Sequence, residues 1–418
     1  MRSGLKMALL PQGGVGPRLS LLHALNFLGV GIYMPFFPIW LASRGLGDVA
    51  ISVVLTIPIL MRVVATSWVT GLADNRLPPV LLLAALNGLA ALLYLALLPA
   101  HGIWPIGLTM ALNAAAISGV VPLADVLTTA QIKAGAAIDY GRVRLWGSVS
   151  FFAANLLGGY LIAHLGAGII PLALAASTGL AALAALAAPA PPPRARPPQE
   201  TSPAPAGFSP AFRLALVAIA CVNATHAALY AFGSLHWRSL GFSDTVIGGL
   251  WAVSVVAEVA LFLFAGGIVA RGTAGFAWIA AGAVAAIIRF GVMALDPGLG
   301  VTLLLQLLHG LTFGCAHLGA LAVLSALAPD GRRAAAQGGL VALTALASAA
   351  MTILSGYLYQ RHGSLAFLAM VPLALVGLVL LVLAKRNLPG DTGSGGTARS
   401  AGRALRAGRE TAPAKGLT

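Results

Sequence analysis

Residues 189–210 read PAPPPRARPPQETSPAPAGFSP, and their reading organises the rest of the chain. Proline lacks an amide donor and disfavours helix in the residue before it, so this stretch forms neither a helix nor a packed core. It reads as an extended, solvated linker. On each side the sequence becomes apolar in runs of about 20 residues or more, the length that crosses a bilayer as a helix. Six runs precede the linker: 19–41, 50–72, 79–98, 103–130, 143–165 and 168–188. Six follow it: 211–234, 244–269, 273–294, 299–327, 335–358 and 364–385. The expected organisation is an arm over 1–18, a six-helix bundle over 19–188, the linker 189–210, a second six-helix bundle over 211–385, and a basic tail over 386–418. The tail is rich in Gly and Ser and is expected to be disordered. The first run is full length, so it reads as a spanning helix and not as a removable signal.

Composition agrees. Of the 418 residues, 59% are apolar and 9% charged, against roughly 45–50% and 25% in a soluble domain. With a mean hydropathy of +0.92, this excludes a soluble enzyme, a disordered regulator and a secreted disulfide scaffold. Cys221 and Cys315 both sit in apolar runs and make no zinc spacing. No phosphate-binding loop and no metal-ligand cluster can be read, so no cofactor is expected and the driving force would be a proton gradient. The net charge of +14 does not mark a nucleic-acid partner, because of where it sits. With the N-terminus in the cytoplasm, 20 Lys and Arg fall on the cytoplasmic side and 3 opposite, a positive-inside bias. The expected location is the inner membrane of a bacterium, multi-pass, with both termini cytoplasmic.

The two halves repeat. Asn26, Tyr33 and Trp40 are spaced seven and seven, as are Asn223, Tyr230 and Trp237 at an offset of 197. One residue shorter, at an offset of 196, Gly45 and Asp48 map onto Gly241 and Asp244, and Arg62 onto Glu258. Two parallel six-helix repeats joined by a linker are the arrangement of major facilitator transporters, with the substrate between the halves near mid-membrane. The expected fold class is an all-α membrane protein of twelve transmembrane helices in two pseudo-symmetric bundles.

Ionisable groups inside spanning helices are expensive and usually face a bundle interior or a wet cavity. Arg62, Asp125, Arg144, Glu258 and Arg289 form that set, joined by His226, His309 and His317. With neutral histidines they carry one surplus positive charge, which suits a mono-anionic cargo. Helical spacing puts His23, Asn26, Tyr33 and Trp40 on one side of the first run. Asn223, His226, Tyr230 and Trp237 share a side of the seventh, and Gln306, His309, Phe313 and His317 a side of the tenth. Aromatic faces mixed with hydrogen-bonding tips suit an aromatic ligand; the plainer alternative is that they tie helices together. His23, His101, His164, His236 and His362 lie near helix ends and read as interfacial. Pro35, Pro38, Pro58 and Pro122 suggest bends.

Several stretches resemble a known family. Gly71-Leu72-Ala73-Asp74-Asn75-Arg76 resembles the start of the major facilitator loop motif, without its second glycine. Asp139-Tyr140-Gly141-Arg142-Val143-Arg144-Leu145-Trp146-Gly147-Ser148 closely resembles the helix-5 entry of the phenylpropionate/proton symporters. It is also similar to the shorter Phe-Gly-Arg-x-Arg signature of the lactose permeases. Pro122-Leu123-Ala124-Asp125, His226-Ala227-Ala228, Val256-Ala257-Glu258-Val259 and the Gln306, His309, His317 stripe also resemble the phenylpropionate group.

The resemblance implies that Arg144 and Asp125 bind substrate, and that Glu258, Arg289 and His317 take part in substrate and proton coupling. The lactose permeases carry a further helix-10 Glu. Here the tenth run continues after His317 as LGALAVLSALA, with no carboxylate, so the proton would ride on Glu258, with Asp125 or a histidine as alternatives. The expected activity is proton symport of a small organic solute, an aromatic monocarboxylate such as 3-phenylpropionate, by a protein complete as a monomer and not an enzyme. Arg62, Arg144 and Arg289 are the candidates for the carboxylate, and Tyr33, Tyr230, Trp146 and Phe313 for the ring. Asn26, Asp125, Asn223, His226 and His309 complete the expected binding set. The alternatives are symport of a neutral nucleoside or sugar, proton-coupled efflux, and a membrane sensor that does not transport.

Overall fold

The structure, a computed structural model, describes residues 14–75, 77–190, 207–269, 275–329 and 331–388. Among these residues there are helices and no strand. The first half holds α1 (Val15–Ser43), α2 (Asp48–Asn75), α3 (Pro79–Ala96), α4 (Ile103–Lys133), α5 (Tyr140–Leu165) and α6 (Ile170–Ala187). The second holds α7 (Pro210–Ser239), α8 (Asp244–Val269), α9 (Gly275–Met293), α10 (Leu299–Leu327), α11 (Arg333–His362) and α12 (Met370–Arg386). Among the described residues, eleven continuous apolar stretches are long enough to cross a membrane. The last, Arg333–Arg386, has 54 residues, about 80 Å as one helix, far more than a ~30 Å hydrocarbon core needs. It turns back through Gly363–Ala369 and crosses twice, which gives twelve crossings. Most of the expected arm, linker and tail lie outside the described residues, as do Arg76 and the side chains of Asp74 and Asn75 in the loop motif.

Local chemistry sets the helix starts. Asp139 caps α5 by accepting from the Arg142 amide at 2.8 Å. Ser209 caps α7 by accepting from the Phe212 amide at 3.2 Å, with Pro210 in the first turn, where its missing amide is harmless. The repeated glycines Gly45 and Gly241 both turn the chain with positive φ (+78° and +85°), which explains why the repeat keeps glycine there. α1 stays helical through Pro35 and Pro38. α2 stays helical through Pro58, whereas α4 breaks at Ser118–Gly119, one turn before Pro122, which cannot donate back to the Ser118 carbonyl. Further breaks fall at Thr225–His226 in α7 and in α10, where Gly310–Cys315 winds as a π-helix.

Successive helices alternate direction, so the chain has two faces. The terminal face carries the start of α1, the end of α6 and the start of α7; the far face carries the turn between α1 and α2. The buried apolar residues form three clusters. One contains Phe36, Phe37 and Trp40 of the first half with Phe232, Trp237 and Phe290 of the second, all toward the far face. The other two lie toward the terminal face and each stays within its own half. The halves therefore share a core on the far side and separate toward the terminal side.

Two backbone contacts make the far-side closure. On α5 and α8, the Gly159 Cα lies against the start of α8, and a β-carbon there would run into the Asp244 carbonyl. A β-carbon on Gly248 would run into the Asn155 carbonyl. On α2 and α11, a β-carbon on Gly356 would meet the Ser52 side chain. A Gly248→Leu substitution is expected to pry the far face open. Spin labels at Ser43→Cys and Ser239→Cys, in a background with Cys221 and Cys315 replaced by Ala, should then move apart in double electron–electron resonance; an unchanged distance would show that the closure does not depend on this approach.

Candidate functional site

Below the shared core, α7, α8, α9 and α10 bring a polar network together. Its centre is Arg289 of α9, whose side chain is fully buried. Nη2 donates to Gln306 Oε1 at 2.8 Å, and Nη1 donates to His309 Nδ1 at 3.0 Å and to Thr312 Oγ1 at 3.2 Å. All three acceptors are neutral groups on α10. Ser254 of α8 adds a second donor to Gln306 Oε1 at 2.8 Å. A buried cation without a touching carboxylate is uncommon, because desolvation must be offset by paired charge and hydrogen bonds.

The donors and acceptors specify one set of protonation states. Arginine only donates, so His309 Nδ1 must be the bare nitrogen and the ring proton sits on Nε2. That Nε2 faces Glu258 Oε2 of α8 at 3.9 Å, close but too long for a hydrogen bond. His226 Nδ1 faces the Asn223 carbonyl at 3.2 Å, which only accepts, so Nδ1 carries the proton. His226 Nε2 then accepts from the Thr312 hydroxyl at 3.0 Å. Thr312 accepts from Arg289 while donating to His226, and both histidines are neutral. The helix breaks make this possible. The break in α7 places the Asn223 carbonyl beside the His226 ring, and the π-turn after His309 places Thr312 over it. Along α10 the His309, Phe313 and His317 rings stack nearly parallel, at 5.5 Å and 5.9 Å.

The first half contributes a second cluster, nearer the terminal face. Tyr140 donates to Asp125 Oδ1 at 2.9 Å. The same oxygen lies 4.0 Å from Arg144 Nε and 4.0 Å from His23 Nε2. His23 is hydrogen-bonded to Thr128 Oγ1 at 3.0 Å. The Arg144 guanidinium lies over the Phe27 ring, 4.0 Å from its centre.

The expected residues thus divide. Glu258, Arg289, His309, His226 and Asn223 come together in the second half, with Tyr230 stacked on His226 at 5.5 Å and Phe313 half-buried beside it. Asp125 and Arg144 come together in the first. Asn26 is buried with neither side-chain polar atom paired, and the Tyr33 hydroxyl is also unpaired, its ring stacked on Phe37. Arg62 is exposed on the opposite side of α2 from Leu60 and Val64, and its side chain has no hydrogen-bond or ion-pair partner among the described residues. Two residues stand apart. Trp146 is exposed on the same stripe of α5 as Leu145, Val149 and Tyr160, about 200° round the helix from Arg144. His317 is exposed, in ring contact with Phe313 and Phe262; the histidine beside Glu258 is His309.

Two of the histidines read as interfacial are buried. His23 belongs to the Asp125 cluster, and His236 sits 3.2 Å from Asp296 near the far face. The sequence reading missed Thr312, Ser254, Tyr140 and Phe27. For Thr312 the only signal was its place three residues after His309, and for Tyr140 its place in the Asp139–Ser148 motif.

A match to the family model described as MFS_1 like spans residues 17–369. The chain belongs to that family, within the major facilitator superfamily. It is 29% identical over 385 residues to a probable 3-phenylpropionic acid transporter of Escherichia coli K12, covering 89% of this chain and 97% of that one. It is 31% identical over 380 residues to a maltose permease of Geobacillus stearothermophilus, covering 88% and 94%. Among solved structures, a mutant of the nucleoside transporter NupG superposes with a TM-score of 0.77 at 16% identity, over 90% of this chain and all of that one. A bacterial homologue of the human lysosomal transporter Spinster, inward-facing and unoccupied, superposes with a TM-score of 0.72 at 15% identity, over 89% and 96%. The chain is a multi-pass membrane protein and a secondary transporter of small molecules; its relatives are transporters, not enzymes.

Thr312 is the joint of the buried network. Thr312→Val keeps the shape and removes the hydroxyl that links Arg289 to His226, and is expected to lower stability by about 1–3 kcal/mol. Thr312→Ser keeps the hydroxyl and should stay near wild type. Thermal denaturation in detergent compares them; equal melting of the Val and Ser variants would contradict the network.

Proposed function

We propose that this protein is a proton symporter that imports an aromatic monocarboxylate such as 3-phenylpropionate across the inner membrane of a bacterium. Both termini lie in the cytoplasm, and the monomer is the working unit. The terminal face is then the cytoplasmic one, and the arrangement described above is open inward.

The observation that carries the reading is the buried Arg289 with only neutral partners, joined through neutral His309 to Glu258. While Glu258 is ionised, its charge offsets Arg289. A proton on Glu258 removes that offset and leaves a cationic site, to which Arg144 of the other half adds its charge. A carboxylate then restores balance, and its ring finds the Tyr33, Tyr230 and Phe313 faces. The loaded site carries no more charge than the empty ionised one, so it can close and reopen without moving a bare charge through a low-dielectric region. Proton and anion travel together for this reason, with no cofactor. Asn26, with both amide atoms unpaired, is placed to bind a polar group of the cargo. The 29% relative named for 3-phenylpropionic acid supports this cargo.

A second reading, symport of a neutral sugar or nucleoside, is favoured by the maltose permease relative and by the NupG likeness in fold. Proteoliposome uptake separates the two. With an inward proton gradient, wild type should accumulate radiolabelled 3-phenylpropionate, and Glu258→Gln should lose accumulation while keeping exchange. Accumulation by Glu258→Gln would remove that residue from coupling. Uptake of maltose or a nucleoside, with none of 3-phenylpropionate, would establish the second reading.

A further inference from the structure

We infer that Tyr140 is a positioning residue that holds Asp125 off Arg144, so that the Arg144 guanidinium remains available to the carboxylate of the cargo. This rests on the reading of the cargo as an anion.

The geometry around Asp125 Oδ1 carries the inference. Three donors converge on this one oxygen, and only Tyr140 reaches it, at 2.9 Å. Arg144 Nε stops at 4.0 Å. Arginine and carboxylate side chains free to meet close to about 2.7–2.9 Å, often through two parallel bonds. Here they share a site and do not close. His23 also stops at 4.0 Å, its Nε2 already engaged with Thr128.

Two devices keep Arg144 back. The first is a slot. The guanidinium lies over Phe27, and Gly147 makes room for both; a β-carbon at 147 would sit 2.9 Å from Arg144 Nη1 and 3.0 Å from the Phe27 ring. The second is the Tyr140 hydroxyl, which donates to Asp125 Oδ1 at 2.9 Å and so occupies the carboxylate oxygen nearest Arg144. A neutral phenol thus satisfies the carboxylate without consuming the cation. Both charged side chains are about one-third exposed, at 32% and 33%, so a solute entering from the terminal face can reach Arg144. Without the hydroxyl, Asp125 loses its near donor; His23 Nε2 is engaged with Thr128, which leaves the Arg144 guanidinium as the cation that can close on it. Cargo would then have to break an ion pair in order to bind.

The test is equilibrium binding of 3-phenylpropionate to the purified full chain, with counterflow in proteoliposomes for KM and Vmax. Tyr140→Phe keeps the ring and should weaken binding about fivefold, the worth of a partly exposed ion pair. The loss should appear in KM with Vmax kept. Tyr140→Phe with Asp125→Asn removes the competing charge and should recover most of the affinity. Unchanged binding by Tyr140→Phe, or a double variant no better than the single one, would overturn the inference.

If wild type binds no 3-phenylpropionate, the cargo reading fails, and the positioning role is read without cargo. Phenylglyoxal should modify Arg144 several-fold more slowly in Tyr140→Phe than in wild type, with the rate restored in the double variant, followed by peptide mass spectrometry. Equal rates would overturn the inference there too.

Discussion

Arg289 is a cation fully removed from solvent and held by three neutral acceptors. Much of the second half follows from keeping it there. His309 must present a bare Nδ1, which leaves its proton on the side of Glu258. Thr312 must accept from Arg289, which leaves its own proton for His226. Gln306 must turn its carbonyl oxygen inward, and Ser254 reinforces that orientation. Each tautomer is dictated by its neighbour, so protonating His309 at Nδ1 would set two donors against each other. The network therefore favours Glu258, at its edge, as the place where a proton can arrive without breaking a bond.

That electrostatic arrangement gains its use from the way the halves meet. The shared apolar core and the two glycine contacts sit on the far side, while each half keeps its own core toward the terminal side. A V-shaped pair joined at one end can rock about that end, which moves Arg144 relative to Glu258 while leaving each cluster intact. The Asp125, Tyr140 and Arg144 group and the Arg289, His309 and Glu258 group each lie within one half. Rocking changes the field between them, not their internal geometry.

The fold was legible because it rests on strong signals: long apolar runs, a proline-rich interruption and a repeated Asn-Tyr-Trp spacing. Arg289, Glu258 and Asp125 were legible because a charge inside an apolar run stands out. The choice between His309 and His317 was not. Regular spacing puts both on one stripe of α10, and only the π-turn over Gly310–Cys315 shows which one meets Arg289. Thr312 and Ser254 were hidden for a related reason: Ser and Thr hydroxyls are common in spanning helices, where they bond to the preceding turn, so their spacing carries little signal. Trp146 and Arg144 cannot both serve one cargo from α5, because two residues along a helix point nearly opposite ways. His23 was read as interfacial from its place near a helix start, but α4 covers it.

The central claim is that the buried arginine makes anion binding and protonation one event. Titration calorimetry of wild type with 3-phenylpropionate, in two buffers of different ionisation enthalpy above neutral pH, measures the protons exchanged on binding. The account predicts net uptake approaching one proton per anion, lost in Glu258→Gln. Binding with no proton uptake by wild type would contradict it.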